Sequence, residues 1–110
     1  MGQDALLVLT TCADRRAADR LATELVEARL AACVNVITGV SSTYRWQGKV
    51  ERGDEVLLVI KSTARTYAAL QRVLEDRSDY ELPEVLAVSV TDGSQAYLDW
   101  LLRSVDGKEA

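Results

Sequence analysis

Short apolar runs alternate along the chain with stretches of helical periodicity. Ala5 to Thr11 is a run of branched apolar residues closed by threonines, which is typical of a buried strand. Asp14 then offers an N-cap to a helix that we expect to extend to about Ala31. The predicted core face of this helix recurs at three- and four-residue spacing and comprises Ala18, Leu21, Leu25, Ala28 and Ala32.

The middle of the chain predicts a long hairpin. Cys33 to Ile37 has an extended pattern, Gly39 interrupts it where a bulge or bend is natural, and Ser41 to Trp46 continues the strand. Gln47-Gly48 is typical of a turn. The returning strand is predicted in two pieces around a loop at Gly53, namely Val50 to Glu51 and Val56 to Ile60.

The last third of the chain predicts a helix, a strand and a terminal helix. Ser62 or Thr63 offers an N-cap to a helix through about Glu75, and Asp76 to Leu82 is expected to be a loop. Pro83 introduces a last strand, because proline is tolerated at the start or edge of a strand. The remaining elements are that strand from Glu84 to Val90, a helix capped by Ser94 from Gln95 to about Val105, and a frayed tail from Asp106 to Ala110.

This order of elements predicts a split βαβ, ferredoxin-like α+β fold in a single domain spanning residues 1–110, with an ordered core at about 5–105. Both crossover helices of such a fold pack on one face of a four-stranded antiparallel sheet. Leu6 to Leu9, Val56 to Ile60 and Val85 to Val88 are nearly continuous apolar runs, so we expect both sheet faces to be dry. An apolar face left open is rare on a soluble monomer, which predicts obligate self-association.

Composition narrows the class of protein. The chain has 110 residues, of which 48% are hydrophobic and 27% charged, as expected for one globular domain. A net charge of -4 argues against a nucleic-acid partner, which requires a basic face.

The start, Met1 to Asp4, has no basic region and the apolar run after it is short, so we expect neither a signal peptide nor a membrane span. Cys12 and Cys33 fit neither a zinc site nor a disulfide framework, which favours reduced thiols and a cytoplasmic location.

The sequence contains no histidine. This removes the usual general base and the commonest metal ligand, and it excludes hydrolases that use Ser/His/Asp or Cys/His constellations. Cys12 is left as a candidate reactive thiol, because the positive end of the following helix lowers a thiol pKa.

Six segments, taken in order, carry a family resemblance. They are Thr10 to Asp14 (TTCAD), Leu30 to Asn35 (LAACVN), Tyr44 to Glu51 (YRWQGKVE), Leu58 to Thr63 (LVIKST), Tyr80 to Glu84 (YELPE) and Tyr97 to Leu101 (YLDWL). Together they resemble the CutA divalent-ion tolerance proteins, from about Leu6 to Leu102.

The resemblance implies a homotrimer, related in architecture to the PII signalling proteins, in which neighbouring subunits cover the open sheet face. It implies that the hairpin tipped by Gln47-Gly48 reaches a neighbouring subunit, and that the protein acts in tolerance of copper and other divalent cations, as a ligand-responsive regulator or scaffold. The positions expected near a cleft between subunits are Cys33, Tyr44, Trp46, Lys61, Tyr80, Glu81, Glu84 and Trp100.

The chain departs from the family pattern before the Tyr-Glu pair. Ser78-Asp79 stands where the family commonly has His-Pro, so the family's most obvious imidazole ligand is missing. No cofactor is certain, and a divalent cation such as Cu2+ is the candidate. Its candidate ligands are Cys33, Asp79, Glu81 and Glu84.

Each candidate has a plain structural interpretation beside the functional one. A free thiol such as Cys33 is most often a small buried hydrophobe, and the acidic loop at Glu81 and Glu84 is equally well a solvated one. Lys61 follows five apolar residues, and we favour pairing with a carboxylate or an anionic ligand over extension into solvent. Tyr44 and Trp46 share a strand face and are expected at an oligomer contact, whereas Trp100 is expected to pack in the core.

Three functions compete. The leading one is a non-enzymatic, trimeric, cation- or ligand-responsive protein of the CutA type. The alternative is a small hydrolase of phosphates or acyl phosphates, suggested by the fold and by Arg15 and Arg16 at a helix start, where anions bind. The third is an assembly or anchoring module that docks a protein partner.

Overall fold

The computed structural model describes residues 4–107. Residues 1–3 and 108–110 lie outside the described residues, so the predictions about the chain start and the end of the frayed tail fall there. In chain order the elements are β1 (Ala5–Cys12), α1 (Arg15–Glu27), β2 (Cys33–Trp46), β3 (Lys49–Thr63), α2 (Tyr67–Arg77), β4 (Leu86–Ser89) and α3 (Gln95–Asp106).

The strands form one four-stranded sheet in the order β2-β3-β1-β4, and every neighbouring pair is antiparallel. Two helix-containing connections, through α1 and α2, place both helices on the same face. This is the predicted ferredoxin-like α+β arrangement, with α3 added after the last strand.

The main core lies between the sheet and the pair α1 and α2. Alternate residues of the two central strands point into it, as the two-residue period of a strand requires. Burying each Leu or Ile side chain of this kind contributes about 1.5–3 kcal/mol. The buried members are Leu6, Val8, Ala18, Leu21, Leu25, Ala31, Val56, Leu58, Ile60, Leu70 and Leu74.

The opposite sheet face is also apolar, as the continuous runs predict, but within residues 4–107 only one end of it is covered. There α3 packs Leu98, Leu101 and Val105 against Ala5 and Ala32. The rest, called the open face below, consists of Leu7, Leu9, Ile37, Leu57, Val59, Leu86 and Val88. Three of these side chains are largely solvent-exposed: Ile37 at 43%, Leu86 at 56% and Val88 at 51%.

Several local predictions are confirmed by the backbone. Asp14 caps α1 by accepting a hydrogen bond from the Ala17 amide at 2.8 Å, and Ser94 caps α3. The register of β2 against β3 shifts between Ile37 and Val40, and Gly39 within this bulge has φ +80°. The turn at Gln47-Gly48 also has positive φ at both residues.

The predicted loop at Gly53 is wrong, because β3 runs unbroken through it and Gly53 pairs with Ser42 of β2. The segment is polar for another reason. Between Val40 and the turn, no other strand of the described part of the chain lies beside β2 and β3, so polar side chains suit both faces of this two-stranded ribbon. Polarity alone therefore could not separate a solvated ribbon from a loop.

Three predicted helix and strand limits are also wrong. The first helix ends at Glu27, before the predicted Ala31, because Arg29 takes a left-handed conformation with φ +59°. The second helix begins at Tyr67, because Ser62 and Thr63 still belong to β3. The last strand covers only Leu86–Ser89 of the predicted Glu84 to Val90.

Ser62 explains why the second helix starts late. It is fully buried, and its hydroxyl donates a 2.7 Å hydrogen bond to the Leu30 carbonyl. A serine satisfied in this way can continue a buried strand, since its polar group has a partner.

Candidate functional site

Cys33 and Lys61 face each other across β2 and β3 at the end of the sheet next to α3. The two residues are directly paired in the register, and the Lys61 ammonium Nζ lies 3.8 Å from the Cys33 Sγ. Lys61 also donates a short hydrogen bond to the Asn35 side-chain oxygen. Lys61 is thus held by a thiol and an amide and not by the predicted carboxylate, and its pairing with an anionic ligand stays a prediction.

Tyr97 of α3 borders this pair, and Trp100 of the same helix lies beside Tyr97. Tyr97 forms a side-chain hydrogen bond with Cys33, and burial together with the Cys33 thiol raises the pKa of Tyr97. The Trp100 ring is half-buried, packs against the α3 core cluster and lies 5.4 Å from the Tyr97 ring, centre to centre. Of the predicted cleft residues, Cys33, Lys61 and Trp100 are therefore brought to one corner.

A second polar cluster lies at the root of the hairpin and is centred on Glu55. Burial alone would raise the pKa of this carboxyl, but side-chain hydrogen bonds from Ser42, Tyr80 and Thr11 lower it below its usual value. The pKa of Tyr80 is raised by its burial and by its hydrogen bond to Glu55. One carboxylate thus collects hydroxyl groups from β1, β2 and the loop after α2.

Sequence reasoning missed Glu55. The apolar run Val56 to Ile60 is bounded by Glu55 before it and Lys61 after it, and only the second of these was singled out. The signal that could have found Glu55 is the same one: a charged residue on a central strand next to a buried run needs a partner.

The surroundings of Cys12 disfavour its thiolate form. Burial raises its pKa, and the negative charges of Asp14 and Asp79 raise it further. The prediction that the helix end lowers this pKa is wrong, because the cap residue Asp14 brings a carboxylate to the same place.

The predicted metal ligands are not assembled within one chain. Asp79 lies near Cys12, because its charge raises the pKa of that thiol. On β3, Cys12 is paired with Val56, whereas Cys33 is paired with Lys61. Those two positions on β3 are about 17 Å apart at the usual rise per residue. Glu81 and Glu84 are exposed in the loop after α2, and among residues 4–107 no three Cys, Asp or Glu side chains are grouped to hold one ion.

Tyr44 and Trp46 lie on the ribbon, away from the Cys33 corner. Tyr44 is 48% exposed, and Trp46 pairs with Lys49 beside the turn. Lys49 and Lys61 are about 40 Å apart along β3. Tyr44 is close enough to Tyr80 to affect its pKa, so Tyr44 belongs with the Glu55 cluster and Trp46 with the tip.

A separate open groove runs along the helical layer between α1 and the end of α2. An Arg77–Glu24 ion pair with a 2.6 Å contact crosses it, and its walls include Cys12, Arg20 and Asp79. None of the residues predicted for the cleft between subunits lines this groove. At the start of α1, Arg15 pairs with Asp19 at 3.5 Å.

No helix within residues 4–107 is long and apolar enough to cross a membrane.

Known proteins resemble the chain over almost its whole length. Residues 6–104 match the family described as CutA1 divalent ion tolerance protein. The divalent-cation tolerance protein CutA of Thermus thermophilus is 41% identical over 86% of this chain and 92% of its own length. The chloroplastic protein CutA of Arabidopsis thaliana is 39% identical over 91% of this chain, which spans only 55% of that longer protein.

The fold comparison agrees. The crystal structure of CutA from Xylella fastidiosa superposes with a TM-score of 0.90 at 42% identity, covering 94% of this chain and 99% of that one. The family description and the name of the Thermus relative refer to cation tolerance and not to an enzyme activity, and they give no support to the hydrolase alternative. The chain belongs to the CutA1 divalent ion tolerance family.

Proposed function

We propose that the protein is a non-enzymatic, cytoplasmic homotrimer that responds to a divalent cation or small ligand bound between its subunits. The family supports the cation half of this proposal, since relatives are named for divalent-cation tolerance. The two free thiols, Cys12 and Cys33, support a reducing compartment.

The observation that carries the proposal is the open face. Its side chains form one continuous apolar surface, and α3 covers only the end beside Ala5 and Ala32. Removing apolar surface of this kind from water stabilises an association by about 25 cal/mol per Å2. A second and third copy of the chain are the occupants we propose, with the threefold arrangement taken from the family resemblance.

A site between subunits also accounts for the separation of the polar residues. Lys61 lies at one end of the sheet, and the exposed Glu81 and Glu84 belong to the loop near the other end. One chain cannot bring them together, but a neighbouring copy packed on the open face can. The candidate cation ligands Cys33, Asp79, Glu81 and Glu84 would then come from two chains, with copper(II) as the candidate ion.

The oligomeric state tests the first half of the proposal. Light scattering after size exclusion is expected to give three chain masses for the native protein and one for Val88→Glu, which places a charge on the open face. Leu82→Glu is the matched control, because Leu82 is an equally apolar but 72% exposed loop residue outside that face. A native protein that elutes as a stable monomer contradicts the proposal.

Calorimetry tests the second half. The native trimer is titrated with Cu(II), Cu(I), Zn(II), nucleotides and small anions. A cation site predicts heat with a metal that is lost in the double variant Glu81→Gln, Glu84→Gln, whereas an anion site predicts loss in Lys61→Met. Glu27→Gln, on the exposed side of α1, is the control. Absence of binding to every probe would leave a scaffold role only.

A further inference from the structure

The Cys33–Lys61 pair is a cross-strand contact between a thiol and an amine. Residues directly opposite on antiparallel strands have Cβ atoms about 4.5–5.5 Å apart, so both side chains rise from the same patch of the sheet. The distance from Lys61 Nζ to Cys33 Sγ is 3.8 Å. A single bridging atom can span this gap after a small rotation of the flexible lysine chain.

Lys61 is held over the thiol by a second contact. A lysine at the end of a strand normally extends its ammonium group into water. Here the hydrogen bond to the Asn35 oxygen turns Nζ back over the sheet. Within residues 4–107, no carboxylate forms an ion pair with Lys61 that would draw the amine away.

Cys33 is fixed from the other side. It is half-buried, and Tyr97 of α3 forms a hydrogen bond with its side chain. The thiol therefore has one neighbouring amine and one neighbouring phenol, with the strand pairing below it. Amine and thiol are presented to each other before any reagent arrives, which is the condition for reaction between neighbouring groups.

We propose that Cys33 and Lys61 form an oxidative modification site, in which dioxygen converts the pair into a covalent sulfur–oxygen–nitrogen bridge. Sulfur and nitrogen each give up two electrons, and dioxygen takes up four. One oxygen atom forms the new S–O and O–N bonds. The other leaves as water with the thiol hydrogen and one amine hydrogen, and any further ammonium proton goes to solvent.

The bridge changes the site in two ways. It joins β2 to β3 covalently at the end of the sheet beside α3, and it removes the charge of Lys61, because a nitrogen bonded to oxygen is much less basic than an alkyl amine. A dithiol reverses the reaction: two equivalents supply four electrons and restore the thiol, the amine and one water. The pair is thus a reversible redox site, in contrast to the irreversible upper steps of cysteine oxidation.

Mass spectrometry of the full chain tests this directly. Protein prepared without oxygen is divided, and one half is exposed to air-saturated buffer. We expect a species that has gained one oxygen and lost two hydrogens, that resists alkylation at Cys33 and that dithiothreitol returns to the starting mass. Proteolysis is expected to yield Cys33 and Lys61 peptides joined to each other and no cleavage by trypsin after Lys61.

Cys12 provides an internal control in the same molecule. It is also half-buried, but its charged neighbours are Asp14 and Asp79, and the register places it at the far end of β1 from Lys61. We expect Cys12→Ser to keep the bridge, and Cys33→Ser and Lys61→Arg to lose it completely. Peptide mapping of the native protein does not depend on the variants folding.

Three results would overturn the proposal. The first is an oxidised Cys33 that has gained oxygen without losing hydrogens, which is a sulfenic or sulfinic acid. The second is a loss of hydrogens without oxygen, which is a disulfide between copies. The third is a reduced, alkylatable Cys33 after exposure to air.

Discussion

Tyr80 and Glu55 are joined by a side-chain hydrogen bond that ties the loop after α2 to the root of the long hairpin. The same carboxylate also accepts from Thr11 and Ser42. Four separate segments of the chain therefore depend on one ionised group. Glu55 therefore joins polar segments on one side of the sheet, while the main apolar core holds α1 and α2 on the other.

Removing the Tyr80 hydroxyl is expected to destabilise the protein. Tyr80→Phe loses a hydrogen bond to a charged acceptor, which at this partly exposed position we expect to cost about 1 kcal/mol. Urea unfolding at fixed protein concentration measures the loss. Tyr67→Phe is the control, because within the described residues the Tyr67 hydroxyl has no side-chain partner. Equal effects of the two substitutions would contradict the role given to Tyr80.

The Glu55 carboxylate is expected to contribute stability that depends on pH. Its folded pKa is lowered, so the folded state binds this proton more weakly than the unfolded state. The contribution is present above the unfolded pKa, about 4.3, and is lost as pH falls through the lowered folded value. The difference in free energy of unfolding between the native protein and Glu55→Gln should therefore be largest near neutral pH. A difference that grows as the solution is acidified would contradict this assignment.

Gly39 and Gly53, both in the strands of the long hairpin, are expected to respond oppositely to alanine. Gly39 has φ +80°, and a Cβ there meets nothing within 4 Å, so Gly39→Ala is strained by conformation alone and costs about 1–2 kcal/mol. At Gly53 a Cβ would only reach ordinary contact with the Tyr44 hydroxyl, at 4.0 Å. Gly53→Ala is expected to be neutral or stabilising by up to about 1 kcal/mol. Thermal unfolding of both variants checks the pair, and a large loss at Gly53 would contradict the unbroken strand.

Leu25 and Val26 are neighbours in α1, but one is a core residue and the other a surface residue. Leu25 is fully buried between helix and sheet, so Leu25→Ala is expected to cost about 2–5 kcal/mol in free energy of unfolding. Val26, one position along, is 43% exposed. Val26→Ala is expected to change stability by less than about 1 kcal/mol. Denaturant unfolding of the two variants measures the contrast, and similar losses would place the core elsewhere.

The sequence determined the order of elements, the caps and the apolar strands, because these depend on neighbouring residues. Asp14 and Ser94 cap helices by accepting hydrogen bonds from amides only three residues further along the chain. Gly39 and Gln47-Gly48 adopt positive φ values that their own residue types permit. The doubly apolar sheet was visible for the same reason, since strand periodicity shows when both faces are dry. The family motifs likewise were read directly from the chain.

Only the tertiary structure decided which polar residues meet. Strand register sets Lys61 against Cys33, both of which were expected near one cleft, and it leaves the two candidate metal ligands Cys33 and Asp79 near opposite ends of the sheet. It also brings Thr11, Ser42 and Tyr80 to Glu55 from widely separated positions. Long-range pairing fixes these contacts, and a one-residue change of register would move each side chain to the other face. Local sequence carries no record of that choice, so the fold was predictable while the geometry of the site was not.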